Sequence, residues 1–451
     1  MLLCAQYIIP VVGEPLHDAA VLVRDGLIRD IGPAELLKLR YADEETLDYG
    51  TAAIIPGLID LHTHLENSVM RGAVPDEPYT SWIQSVRATG AKLDVHDWQS
   101  STVLGGLEAL SAGITFVADV SSTGASCSTM KKLGLRGIVY REVGAMDKRR
   151  VDDAMRMARN DIVRWGELVD SSLVQIGIMP RETYDCHPSV FAESSRIARE
   201  ENIPLALYVA ESQEEYDFIR YGSSSLSVES MADKRGFVEV PPWLPTGVTP
   251  VRYVLNWNGF EADNVMAVHC VHVDSDDIAK LKEYDVAVAV CPRCNAQLSM
   301  GVAPIFEFLR SCLRVGLGTG YGASSDSCDI IQEMRVGMLI NRAVNPGRFI
   351  SSSTMLRMAT IDAARALKMD DKIGSIEIGK CADLTVVDLS DSRQTPTDDP
   401  TSALVSTCSS DDVLMTMVAG SIRYEKDKWH VDVELARDIA RVIEIREKLR
   451  K

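Results

Sequence analysis

Long apolar runs are missing from this chain. No stretch approaches the ~20 apolar residues of a membrane helix, which argues for a soluble protein with no membrane partner. The opening MLLCAQYIIPVVGE has neither a basic lead nor a small-residue cleavage site, so it reads as a first strand and not as a leader. Basic residues are scarce as well: 47 Lys and Arg against 65 Asp and Glu give a formal net charge of -18. That balance, without any basic stripe, argues against nucleic acid as a partner. Cysteine is too dilute for a disulfide framework, with ten residues scattered between Cys4 and Cys408, and a reducing cytoplasm is the expected location. The single CxxC, Cys291 and Cys294, lacks a second Cys or His pair at zinc-knuckle spacing and reads as two thiols in a turn. What remains is ordinary globular composition, 46% hydrophobic and 25% charged over 451 residues, enough to bury a sizeable core.

Within that composition one pattern recurs. Short apolar runs rich in β-branched residues end in polar or glycine residues and are followed by helical stretches. Eight such runs lie at 53–64, 113–120, 135–144, 172–182, 203–212, 264–273, 285–295 and 314–322. Continuous apolar runs suit strands buried on both faces, and eight strand-helix repeats imply an α/β fold, a closed TIM-like (β/α)8 barrel over residues 52–372. The flanks differ. Residues 1–51 and 373–430 carry short alternating runs with Asp-Gly and Ala-Gly-Ser turns, and neither flank is long enough alone, so the two are expected to join into one small β-sandwich domain. Apolar residues at helical spacing predict a terminal helix over 431–451. The Pro- and aromatic-rich interval 231–257 sits at the barrel mouth, and two readings stand: a lid, or a packing and dimer contact through Trp243, Tyr253 and Trp257.

Chemistry-bearing residues gather at the strand ends. His62 and His64 are alternate residues of the first barrel strand, so both imidazoles face one side, which makes half of a metal site. Glu211 ends the fifth strand and His269 the sixth; a carboxylate and an imidazole converging on two further imidazoles suit proton transfer to and from a water. His272 already enters the following turn and reads as structural.

The runs IIPGLIDLHTHLENSVMRG, HCVHVDSDDIAKL, CPRCNAQLSMGVAP, VGLGTGYGASSDSCDIIQEMR, MATIDAARAL and IGSIEIGKCADLTVVDL together resemble the amidohydrolase superfamily, in its cytosine/adenine-type aminohydrolase branch. Within it, HTHLE, SWIQSV and VPPWLPTGVTPVRYVL look most like aminofutalosine-deaminase-like and S-adenosylhomocysteine-deaminase- or chlorohydrolase-like members. The resemblance implies a hydrolase removing an amino group from a purine-like or other heterocyclic small molecule. It also implies a homodimer and a mononuclear metal, usually zinc. That metal would be held by the His pair, a histidine after strand five and an aspartate after strand eight. Carried over by position, His62 and His64 match the pair, Glu211 the proton-shuttling acid and His269 the strand-six histidine.

Three positions depart from the pattern. Tyr208 stands where the third histidine belongs, Gly320 where the aspartate belongs, and Arg181 where a substrate-contacting histidine belongs. Two imidazoles hold zinc poorly, and a phenol must lose its proton before it ligates. Glu66, Asp326 and Asp329 are candidate replacement oxygens, although the two aspartates are better read as the start of the eighth helix. Arg181 is expected either to pair with Glu211 or an anionic ligand, or to sit at the rim beside Glu182. Arg293, Trp82 and Trp243 are further candidates for an anionic or aromatic ligand, each equally readable as a packing residue. Two functions therefore stay open: an aminohydrolase with an incomplete or rebuilt zinc site, which the retained acid and imidazoles favour, and a metal-free, catalytically silent relative that binds a small molecule or acts as a scaffold.

Overall fold

The structure, a computed structural model, describes residues 1–226, 245–426 and 428–450. Its barrel strands are Leu58–His64, Ile114–Ser121, Arg136–Val143, Val174–Pro180, Leu205–Val209, Val265–His269, Ala287–Val290 and the broken eighth, Val315–Leu317 with Gly320–Tyr321. All eight predicted runs hold a strand. Neighbours pair in parallel around the ring, and Gly320 and Tyr321 close it by pairing with Thr63 and His64 of the first strand. These strands are buried along nearly their whole length, which explains why apolar residues fill them without alternation.

The first run spans two structures. Ala52–Pro56 belongs to the other sheet, where it pairs with Leu384–Asp388 and with the N-terminal strand, so the change of sheet falls at Gly57 instead of residue 52. A side chain at Gly57 would place its Cβ 2.1 Å from Thr115 Oγ1, so only glycine lets the chain pass between the two sheets here.

The flanks join as expected. Leu2–Ile8, Leu16–Arg24 and Leu27–Pro33 from the N-terminus and Leu384–Asp388, Val413–Val418, Ser421–Glu425 and Lys428–Trp429 from the C-terminus form one mostly antiparallel sheet, with Ala52–Pro56 at the centre and Thr46–Asp48 alongside Leu2–Ile8. Leu3, Val21, Ile54, Leu384 and Met415 share its core. Its hairpins turn at Asp25-Gly26 (φ 54° and 75°) and Ala419-Gly420 (φ 50° and 74°), left-handed pairs that match strand twist. Arg136, at the start of the third barrel strand, grips Asp383 of this sheet with Nε at 2.6 Å and Nη2 at 3.2 Å.

The terminal helix runs over Leu435–Arg450 and buries only Ile445. Charge holds it instead. Asp97, the N3 residue of the capping box on helix Val95–Ser111, receives Arg441 Nη2 at 2.7 Å and Lys448 Nζ at 2.6 Å, while Arg446 reaches the carbonyls of Val69 and Gly72. Both cations are partly exposed and screened. Asp97→Ala is thus expected to cost only about 1–2 kcal/mol, cap included, yet to free the helix for cleavage. Limited proteolysis should show C-terminal trimming in the variant, and in the natural chain at high salt; equal resistance in all three would show that charge is not the tether.

Of the 231–257 interval, residues 231–244, Trp243 among them, lie outside the described residues. Pro250–Asn256 is a short helix capped by Thr249; Tyr253 is buried against Phe191 and belongs to the core, while Trp257 is exposed.

Candidate active site

The predicted residues converge at the C-terminal ends of the barrel strands. His62 and His64 project from the first strand with ring centroids 5.0 Å apart, and His62 lies 5.8 Å from the His269 ring. Tyr208 stands among them: its hydroxyl is 2.9 Å from His64 Nε2, and its ring is 5.4 Å from His62 and 6.2 Å from His269. Burial pushes the Tyr208 phenol well above its usual range near 10, so it is a neutral phenol hydrogen-bonded to the imidazole. Tyr321 lies flat on the His64 ring at 3.8 Å, and its hydroxyl reaches Tyr208 Oη at 3.5 Å. Burial also depresses the imidazoles, His64 to about 3 and His269 to about 4, so both are neutral at pH 7.

The second cluster holds Glu211 and His269. His269 Nδ1 meets Asn295 Oδ1 at 2.7 Å, which assigns the proton to Nδ1 and leaves Nε2 as an acceptor, 3.9 Å from Glu211 Oε2. Glu211 Oε1 accepts the Tyr79 hydroxyl at 2.6 Å and the Tyr184 hydroxyl at 3.2 Å. Burial, reinforced by Glu215 and Glu182, raises the Glu211 pKa well above the carboxylate range. Glu215 pins the loop by accepting Glu211 N–H at 2.6 Å and the Thr183 hydroxyl at 2.6 Å. The backbone here is bent: Ala210, His269 and Cys270 have φ of 53°, 73° and 46°, and Cys270 N–H donates to the Val209 carbonyl at 3.1 Å, which locks the ends of strands five and six together.

Charged residues line the rim beside strands three and four. Arg181 is paired with Glu142 at 3.2 Å and with Asp185 at 3.7 Å, not with Glu211. Glu182, expected beside it in solvent, is buried and faces Arg87 at 3.3 Å. Burial opposes ionisation of Glu142, but Arg181, Ser122 and His64 outweigh it and lower its pKa. A cavity of about 730 Å³ opens here, lined by Arg141, Glu142, Met146, Arg150, Arg181 and Asp185 among others.

Other candidates are committed elsewhere. Trp82 forms a wall of the site, 5.1 Å from Tyr321, with its indole N–H 3.4 Å from the Ala323 carbonyl. Arg293 is turned away: it binds the Ser325 and Ser327 carbonyls and lies 3.7 Å from Glu333. Glu66 is consumed by Ser121, Ser122 and Thr123, and Asp329 caps the helix Ile330–Val344 through Gln332 N–H at 3.0 Å. Asp326 is exposed in a left-handed turn. His272 Nε2 meets the Met300 carbonyl at 2.7 Å, as its structural reading requires. Sequence reasoning did not single out Tyr79, Glu142, Tyr184, Asn295 or Tyr321. All but Tyr79 lie at or just after the end of a barrel run, which is the signal that would have found them.

This donor set does not fit a catalytic zinc, which needs at least three protein ligands. Tyr208 is a protonated phenol occupying His64 Nε2, and position 320 has no side chain. Among the described residues no three His, Cys, Asp or Glu side chains are grouped to hold a metal ion.

The chain is similar to two deaminases over most of its length. The 5-methylthioadenosine/S-adenosylhomocysteine deaminase of Syntrophobacter fumaroxidans is 29% identical over 96% of this chain and 95% of its own. The 5'-deoxyadenosine deaminase of Methanopyrus kandleri is 29% identical over 92% and 91%. Among solved structures, a zinc-bound adenosine deaminase from Xanthomonas campestris superposes with a TM-score of 0.81 at 24% identity over 100% of this chain and 98% of its own, which speaks for the shared fold. Aminofutalosine deaminase from Helicobacter pylori does so with 0.79 at 19% over 93% and 99%. The amidohydrolase family model matches residues 53–423, the barrel together with the C-terminal strands. This chain belongs to the amidohydrolase family.

Proposed function

We propose that the Glu211 and His269 side chains bind an adenine-like heterocycle, and that the chain holds this ring without hydrolysing it. The observation that carries the reading is the polarity of the pair. His269 Nε2 offers an acceptor 3.9 Å from the Glu211 carboxyl, both are buried, and burial shifts Glu211 toward the protonated form that donates. An aminopurine edge presents the complement, a ring nitrogen that accepts and an amino group that donates. The names of the relatives supply the substrate class, since they act on adenine nucleosides. The rim cavity with Arg141, Arg150, Arg181, Glu142 and Asp185 suits a charged substituent on the sugar.

What argues against hydrolysis is the donor set. Displacing an aromatic amino group with water requires an activated hydroxide, and neither Tyr208 nor Gly320 supplies what a metal would need. Calorimetric titration with 5'-methylthioadenosine and S-adenosylhomocysteine in the presence of chelator should give binding in the micromolar range, roughly -8 kcal/mol, with no ammonia released. Chelator-sensitive ammonia release would overturn the reading.

One observation favours the second reading, an adenine-type aminohydrolase working on a rebuilt metal site: His62 Nε2 is buried with no hydrogen-bond partner. Elemental analysis of carefully purified protein separates the two. About one metal per chain supports the aminohydrolase; background metal supports binding alone.

A further inference from the structure

We propose that this barrel carries a latent metal site which Tyr321 and Cys294 keep shut, so that supplying the two absent ligands at positions 208 and 320 will not by itself restore metal binding. The inference rests on the metal-free reading above, and deepens it by assigning the exclusion to packed side chains as well as to missing donors.

Tyr321 is placed by topology. Its strand closes the ring, and its register partner is His64, so its ring falls on the imidazole at 3.8 Å with only 10° between planes. Trp82 packs against it at 5.1 Å and backs it. Its hydroxyl stands 3.5 Å from Tyr208 Oη, which itself occupies His64 Nε2 at 2.9 Å. Replacing Tyr208 by histidine therefore removes one phenol from His64 Nε2 and leaves the other stacked on the face of the ring.

Cys294 blocks the aspartate position. A Cβ added to Gly320 would meet Cys294 Cβ at 2.9 Å and Sγ at 3.0 Å, and the Gly320 φ of 73° is left-handed. Cys294 has little room to retreat, being buried on helix Pro292–Gln297 with Ser324 Oγ 3.2 Å from its sulfur. Alanine at 294 would keep the obstructing Cβ. The relieving change is Cys294→Gly.

The test compares the natural chain, the double variant Tyr208→His/Gly320→Asp, and the quadruple variant that adds Tyr321→Gly and Cys294→Gly. Each is loaded with zinc alone, desalted and analysed for metal, with affinity measured against a chromophoric chelator and folding checked by circular dichroism. The natural chain and the double variant are expected to retain less than about 0.1 zinc per chain, and the quadruple variant about one. Should the quadruple variant fail to fold, the two triple variants, adding Cys294→Gly or Tyr321→Gly alone, take its place. Each is expected to bind zinc at least ~10-fold more tightly than the double variant. A double variant that already holds one zinc, or relieved variants no tighter than it, overturns the proposal. One zinc on the natural chain instead overturns the metal-free reading itself.

Discussion

Asp383→Ala is expected to destabilise the protein by about 3–5 kcal/mol, the cost of leaving one partner of a buried ion pair alone. Arg136 and Asp383 are almost fully buried, with side-chain exposures of 6% and 3%, and are joined through two guanidinium nitrogens at 2.6 and 3.2 Å. Asp383 Oδ1 also accepts Ala419 N–H at 2.7 Å, so the carboxylate ties the third barrel strand to a hairpin of the terminal-segment sheet. Removing it strands a guanidinium and an amide together. Denaturant unfolding measures the loss, and the double variant Arg136→Met/Asp383→Ala should recover much of it, since no buried charge is then left unpaired. A single-variant loss under ~1 kcal/mol would show that apolar packing alone joins the two parts.

Glu211→Leu is expected to weaken adenine-nucleoside binding by about 10- to 100-fold, or about 1.4–2.7 kcal/mol. Leucine removes both the donor and the oxygen that accepts the Tyr79 and Tyr184 hydroxyls at 2.6 and 3.2 Å. Glu211→Gln keeps an oxygen and an N–H donor and should bind nearly as well as the natural chain. His269 sets the acid limit, since burial depresses its imidazole to about 4, while burial raises Glu211 and favours its protonated form. Affinity in the natural chain should thus hold down to about pH 5 and fall below pH ~4.5 as His269 Nε2 gains a proton and stops accepting. A titration that instead breaks near the ordinary imidazole pKa of about 6.5 would count against this assignment.

The barrel was legible because its strands are buried on both faces, and an apolar run of strand length between turn residues carries that signal. The same property hid the boundary at Gly57. Ala52–Pro56 and Leu58–His64 are equally buried in two different sheets, so composition is continuous where the architecture changes. His62, His64, Glu211 and His269 were readable from their places at strand ends. Tyr79 was not, because it starts a helix away from the strand ends and only the fold brings its hydroxyl to the Glu211 carboxyl oxygen. Arg293 carried a charge that suggested a ligand contact, yet three backbone and side-chain acceptors claim it.

The sequence alone determined the repeated strand-helix pattern and the joining of the two flanks, because each is written in residue type and spacing along one run, and the family resemblance marked Tyr208 and Gly320 as departures from the expected ligand pattern. Tertiary structure decided what fills the space those ligands would have used. Tyr321 covers His64 through the pairing that closes the barrel, and Cys294 abuts Gly320 across neighbouring strand ends. Both contacts join residues far apart in the chain, and distance along a sequence carries no information about which side chains will compete for one volume.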